Sequence, residues 1–399
     1  MQRRSFLKYA ASAVLAGSIG LGSAQAQEVI KIGAVAPKTG ALAGGAAVTH
    51  WPNIKLWVSQ VNARGGLNLK SGKAKIELIE YDDRTNPGET IKAIERLATQ
   101  DKVDFILAPY GTGFNLAAAP IFAKYGYPLI TSTAITDKAD ELIDRYPNIF
   151  FTLGDTSTFS HSVVGLLSKM REEGKIGNRI AMVNVADAFG IELANAARPV
   201  FEEAGFNIVY DKSYPLGTQD LSPVIKGAKA SNPDAFVAWS YPPDTFGLTE
   251  QAIIEGLDVK AFYSAVATAF PAYAGRFKDS IEGVLGAGGI NADTPEMQAY
   301  IKAHTEVTGQ APDSWASPVV YATYQILEQA IEGVGSTDRE AVTEYIKSKV
   351  FDTVIGPIDL RDQVNHAFWT VGQWQDGVFN AVSSTGRPGV KDVRLKPTW

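Results

Sequence analysis

The sequence predicts an α/β protein made of two doubly wound lobes with parallel sheets. Three observations carry this. From Ile79 to Ala134 the chain reads strand, helix, strand, glycine-containing loop, helix, strand. After Phe150-Phe151 the same rhythm restarts and continues to about residue 263. No Pro- or Ser-rich linker separates the two runs, so any boundary between them consists of short crossings. Strands alternating with helices of this length specify parallel βαβ units rather than a sandwich or a bundle.

In chain order, residues 29–35 form a first apolar strand ending in the loop 37–42, and a single helix is expected over 45–63, stopped by Arg64-Gly65-Gly66. Residues 74–81 alternate as a strand, and Asp82 to Pro87 turn into a helix with Pro near its first turn. Strands follow at 105–107 and 128–131. The second run has helices near 157–173, 189–204, 221–230 and 244–255, and strands at 179–183, 207–210, 235–239 and 260–263. Beyond Gly283 the pattern turns helical, with amphipathic stretches at 296–308, 316–333 and 339–349. The tail carries a turn at Gly356-Pro357 and a hairpin from Phe368–Trp374 to Phe379, split by Gln375-Asp376-Gly377. An Asp-Gly turn between apolar runs is a strong hairpin signal.

The first 26 residues stand apart, since Gln2-Arg3-Arg4-Ser5-Phe6-Leu7-Lys8, an apolar run and Ala24-Gln25-Ala26 form a twin-arginine export signal. Its apolar run is too short to span a bilayer. Cleavage would leave Gln27 first, in a periplasm, and loss of Arg3, Arg4 and Lys8 would take the formal charge from −6 to −9. No basic run remains to track phosphates, so nucleic acid is not an expected partner. The absence of Cys removes disulfides and thiol chemistry.

Enzyme motifs fail in turn. There is no Gly-x-Ser-x-Gly elbow and no His-Glu-x-x-His, and His50, His161, His304 and His366 are too scattered for a local metal site. Residues 66–73 have the wrong glycine spacing for a P-loop, and Ala74 replaces the metal-binding hydroxyl, so they form a surface turn. Asp82 and Asp83 point opposite ways at a strand end, which suits helix capping rather than acid-base work. No cofactor, metal or catalysis is expected.

The positive signals lie at the carboxyl ends of strands, where open α/β sheets bind ligands and helix N-termini present unpaired N–H groups. Ala108-Pro109-Tyr110-Gly111-Thr112-Gly113 follows one strand, Thr131-Ser132-Thr133 another, Phe189 a third and Trp239-Ser240-Tyr241 a fourth. Such residues also fill strands for packing reasons alone. Their recurrence at one end of several strands is what points to a pocket for a small anion.

The order and spacing of Ile32-Gly33, Thr39-Gly40, Val61 to Gly66, Asp82-Asp83 with Pro87, Val354 to Pro357 and Gln373 to Gly377 resemble the periplasmic solute-binding proteins of the branched-chain amino acid type. The resemblance covers essentially the whole chain after the signal. It implies a type I periplasmic binding protein fold: two lobes joined by three crossings that close on a ligand like a hinged trap. It also implies delivery of a small molecule to the membrane permease of an ABC importer; the protein itself is expected as a monomer. The lobes are expected at residues 27–152 plus 290–352 and 153–289 plus 353–399.

Carried over residue by residue, the resemblance puts the carboxylate-binding hydroxyl on Thr112, a backbone contact on Thr133 and an aromatic near Trp51, while Tyr110 is a candidate from its place at a strand end. In the second lobe it keeps Tyr241 before Pro242. The ammonium half changes: the family's Thr falls on Ile135, its Glu on Val266, and a Tyr becomes Phe189. An ammonium buried without a carboxylate is strongly disfavoured. The expected ligand is therefore a hydrophobic or aromatic carboxylate without an α-ammonium. Branched-chain or other amino acids, with Asp155, Asp187 or Asp244 supplying the missing charge, are the alternative, as is a ligand sensor on the same fold.

Overall fold

The computed structural model describes residues 29–290, 293–367, 370–384 and 389–399. The expected export signal and Phe368, at the start of the expected hairpin, lie outside the described residues.

Strand β1 (Val29–Ala36) leads to a broken helix, α1 (Ala43–Thr49) and α2 (Trp51–Ala63), in place of the single helix expected. Pro52 is the cause: it has no N–H, and its ring displaces the carbonyl four residues back. That carbonyl, on Val48, accepts instead from the Ser317 hydroxyl at 3.1 Å. The hairpin β2 (Leu67–Leu69) and β3 (Gly72–Asp82) replaces the expected simple turn. Helix α3 (Pro87–Arg96) is capped by Asn86, whose side chain accepts from Gly88 and Glu89 N–H. The Asp pair serves the neighbouring loops instead, Asp82 accepting from Lys38 N–H and the Thr39 hydroxyl, Asp83 from Thr85 N–H. Next come β4 (Phe105–Leu107), α4 (Thr112–Tyr125), β5 (Leu129–Thr131), α5 (Ala139–Arg145) and β6 (Ile149–Phe151). The first sheet has order β2-β3-β1-β4, and β5 pairs with β6 beside it, parallel throughout except for the β2–β3 hairpin.

The second run continues with α6 (Thr156–Glu172), β7 (Arg179–Val185), α7 (Ala188–Glu203) and β8 (Asn207–Tyr214). After these come α8 (Ser222–Ala230), β9 (Ala235–Trp239), α9 (Pro242–Glu255), β10 (Ala261–Ser264), α10 (Pro271–Phe277) and β11 (Leu285–Ala287). The chain then returns to the first lobe as α11 (Pro295–Thr308), which packs on α2, followed by α12 (Ala316–Val334) and α13 (Arg339–Ser348). A small hairpin, β12 (Val350–Thr353) and β13 (Gly356–Asp359), turns on Val354-Ile355, with Gly356 inside the second strand rather than in the turn. Finally β14 (Thr370–Gln375) and β15 (Val378–Ser384) form the expected hairpin over Asp376-Gly377. Both turn residues have positive φ, +53° and +77°, as a two-residue hairpin requires.

The second sheet has order β15-β14-β11-β10-β9-β7-β8. Five strands are parallel, and β14 and β15 add an antiparallel edge. Its central strands are near-continuous apolar runs, β9 reading Ala-Phe-Val-Ala-Trp with every residue buried, as a sheet covered by helices on both faces demands. Residues just past β13 bond to the end of β6: Phe151 N–H donates to Gln363 O at 2.8 Å, and Asn365 Nδ2 to Thr152 O at 3.0 Å. These bonds lie beyond the 352/353 boundary expected above.

Candidate functional site

Six strand ends meet at one cavity. Tyr110 and Gly111 follow β4, Ser132, Thr133 and Ile135 follow β5, Leu153 follows β6, Phe189 follows β7, Tyr241 follows β9, and Val266 follows β10. Trp315 and Ala316, at the start of α12, complete the lining. The space at the centre is about 30 Å³, so the side chains of the two lobes nearly meet across it. Phe189 and Tyr241 stack with ring centroids 4.9 Å apart, and Tyr110 faces Tyr241 at 6.4 Å.

Six of the eight residues selected from the sequence line this cavity: Tyr110, Thr133, Ile135, Phe189, Tyr241 and Val266. Thr112 and Trp51 do not. The Thr112 hydroxyl is turned onto the backbone of Ile135, accepting from its N–H at 3.2 Å and donating to its carbonyl at 3.3 Å. It pins the β5 loop to the head of α4. Trp51 is held away from the cavity by its indole N–H on Pro37 O at 3.3 Å and by Lys38, whose ammonium lies 4.5 Å from the ring centroid. Thr133 lines the cavity, but its hydroxyl accepts from Gly111 N–H at 2.9 Å. The residue the resemblance passed over is Ser132: it is 2% exposed, it lines the cavity, and no hydrogen bond ties its hydroxyl to another described residue. The signal was present in the sequence, since Ser132 lies between two threonines at a strand end.

Four helices begin beside this cavity, and three carry their own carboxylate. Asp187 caps α7, accepting from Gly190 N–H at 3.0 Å. Asp244 accepts from Tyr241 N–H at 3.2 Å at the head of α9. Asp313 caps α12 from a fully buried position, taking Trp315, Ala316 and Ser317 N–H at 2.8, 2.6 and 2.9 Å. Helix α4 differs: its N-cap is Gly111, with no capping side chain. Gly111 has φ +92°, and a Cβ there would stand 3.2 Å from the Tyr241 hydroxyl, so a side chain would intrude where the lobes meet.

No Asp, Glu, Lys or Arg is among the lining residues. Burial raises Asp244 to about 7, helped by the nearby Asp187 charge, and raises Asp187 as well. Burial also raises the Tyr241 hydroxyl, near Asp187 and the Thr112 N–H, although it makes no well-formed hydrogen bond. Asp155 caps α6 through Thr158 N–H and lines a separate crevice with His161 and His366. Among the described residues no group of three His, Cys, Asp or Glu could hold a metal ion, and no helix is long and apolar enough to cross a membrane.

Residues 29–377 match the family model described as periplasmic binding protein. The chain belongs to the periplasmic binding protein family. Leu/Ile/Val-binding protein homolog 7 of Brucella abortus is 25% identical over 395 residues, covering 94% of this chain and 96% of the relative. Among solved structures, the substrate-binding protein LivJ of Streptococcus pneumoniae with isoleucine superposes with a TM-score of 0.76 at 20% identity, covering 89% of this chain and all of that one. A solute-binding protein from R. palustris with benzoate gives 0.77 at 17% identity, covering 92% and 99%. The type I periplasmic binding protein fold is thereby established. This family supplies the solute-binding components of ABC transporters, and its fold is one of transport rather than catalysis.

Proposed function

We propose that this protein works in the periplasm as the binding component of an ABC importer, closing its lobes on a small aromatic or other hydrophobic carboxylate that lacks an α-ammonium. The observation that carries the ligand class is the lining itself: rings and aliphatic side chains, the Ser132 hydroxyl, the uncapped head of α4, and no carboxylate facing inward. A carboxylate placed there would receive N–H and hydroxyl donors at the positive end of a helix. An ammonium would meet Ile135 and Val266. Asp187 and Asp244 lie close by, but each has an oxygen committed to its own helix and neither lines the cavity. Solved relatives hold isoleucine in one case and benzoate in another, so the fold accommodates both classes and the side chains must decide.

The bonds from Gln363 and Asn365 to the first lobe support placing the third crossing between Asn365 and Thr370, so the lobes become residues 29–152 plus 290–365 and 153–289 plus 370–399. Ligand class is tested by thermal unfolding against aromatic carboxylates and against leucine, isoleucine and valine. A true ligand at a hundredfold excess over its Kd stabilises the fold by about 2.7 kcal/mol. Benzoate-type acids should raise the midpoint. Stabilisation by the branched-chain amino acids alone would refute the proposal and return the ammonium to Asp187 or Asp244.

A further inference from the structure

Trp315 was not selected from the sequence, yet it is the largest side chain lining the cavity, and its backbone is held from three sides. Asp313 receives its N–H at 2.8 Å together with those of Ala316 and Ser317. The Ser317 hydroxyl ties the same turn to Val48 O, the carbonyl released by Pro52. Ile290 N–H donates to Ser314 O at 3.2 Å, fastening the preceding residue to the segment that leaves β11. Beneath it, Gly288 has φ +134°, and a Cβ there would lie 3.0 Å from the Trp315 Cβ and 2.8 Å from Phe379. The Trp315 Cβ therefore stands over a glycine whose backbone no larger residue adopts without strain. A residue whose backbone is fixed this way lines the cavity together with Tyr110 and the stacked Phe189–Tyr241 pair.

We infer that Trp315 is the specificity-determining residue that makes this cavity prefer a flat aromatic ring over a saturated one of the same size, with Asp313 as its positioning residue. This rests on the carboxylate reading above. Ring faces and edges attract one another beyond the area they bury, whereas a puckered aliphatic ring gains only area. Asp313 acts through Trp315: its carboxylate sets the first turn of α12 and so the angle at which the indole enters.

The test compares benzoate with cyclohexanecarboxylate, which share the carboxylate and the ring size, by titration calorimetry on the full-length mature protein freed of bound solute by dialysis. The wild type should bind benzoate at least tenfold more tightly. Trp315→Leu should bring that ratio below threefold, mostly through weaker benzoate binding, and Trp315→Phe should retain most of it. Asp313→Asn should lower the ratio while leaving cyclohexanecarboxylate affinity within threefold, a split that general loosening of the fold would not give. A wild-type ratio below threefold overturns the inference without any variant. So does a tenfold ratio that survives Trp315→Leu. Binding of leucine with no binding of either acid would instead overturn the ligand class proposed above, and the two failures are thereby told apart.

Discussion

At the scale of single residues, the two hydroxyls at the head of α4 and in the β5 loop face different ways. Thr112 holds Ile135 by two hydrogen bonds inside the protein, while Ser132 opens on the cavity. Thr112→Val should therefore lower stability by about 1–3 kcal/mol, because it leaves the Ile135 N–H buried and unpaired. Chemical denaturation reads this directly. Ser132→Ala should leave stability within about 0.5 kcal/mol but weaken binding of an aromatic carboxylate by about 1.5–3 kcal/mol, the usual worth of a hydrogen bond to a charged acceptor. Equal losses of stability in the two variants would contradict this division. Position along the chain was legible here and side-chain direction was not. A strand end announces that Thr131-Ser132-Thr133 lies near the cavity. Which hydroxyl turns inward depends on which neighbouring backbone groups remain unpaired, and Gly111 N–H claims Thr133 through a contact 22 residues away in sequence.

At the scale of elements, periodicity placed the long helices and buried strands, and the departures have local causes. Pro52 divides the first helix because a proline inside it removes a donor and crowds the carbonyl one turn back. Strand β11 is only three residues long and contains Gly286, so it has too little pattern to be seen, although it is the hinge between the parallel strands and the antiparallel edge. The head of α12 shows what helix capping accomplishes at this site. Asp313 is fully buried and takes three N–H groups, and burial still raises its pKa. Asp313→Ala should cost about 2–4 kcal/mol, since a capping bond is worth about 1–2 and buried donors are left unpaired besides. The loss should appear in the unfolding midpoint with or without ligand. A change below about 0.5 kcal/mol would mean that Asp313 does not hold this turn.

At the scale of the whole molecule, the two-lobed plan was legible because each lobe repeats one rhythm, and the lining was legible because both sheets direct their carboxyl ends at the same place. Buried ionisable groups are different, since only the assembled fold decides how much water they lose. Burial lowers His50 to about 3, and raises Asp83 to about 6 and Asp244 to about 7. The two kinds act in opposite senses. For His50 the unfolded chain binds the extra proton between about pH 3 and 6.5, so stability is lost as pH falls through that range. For the two acids the folded chain holds the extra proton, from about pH 4 up to 6 for Asp83 and 7 for Asp244, so stability is lost as pH rises. Asp244 is the cleaner probe because its window reaches highest. Its surroundings are the Asp187 carboxylate, the Tyr110 and Tyr214 hydroxyls and the Tyr241 N–H, and Asp187 adds to the rise. Asp244→Asn keeps an acceptor for Tyr241 N–H and cannot ionise. Relative to wild type it should be near neutral or slightly destabilising at pH 4, then gain a few kcal/mol by pH 8, because each tenfold difference in proton affinity between the folded and unfolded chain is worth about 1.4 kcal/mol. Urea unfolding at intervals of pH measures the difference. A His50→Gln variant should show the opposite trend, gaining on wild type as the solution is acidified. A difference between Asp244→Asn and wild type that stayed constant from pH 4 to 8 would mean that Asp244 is ionised in the folded protein throughout, and an inward-facing charge beside Tyr241 would then restore the case for an ammonium-bearing ligand.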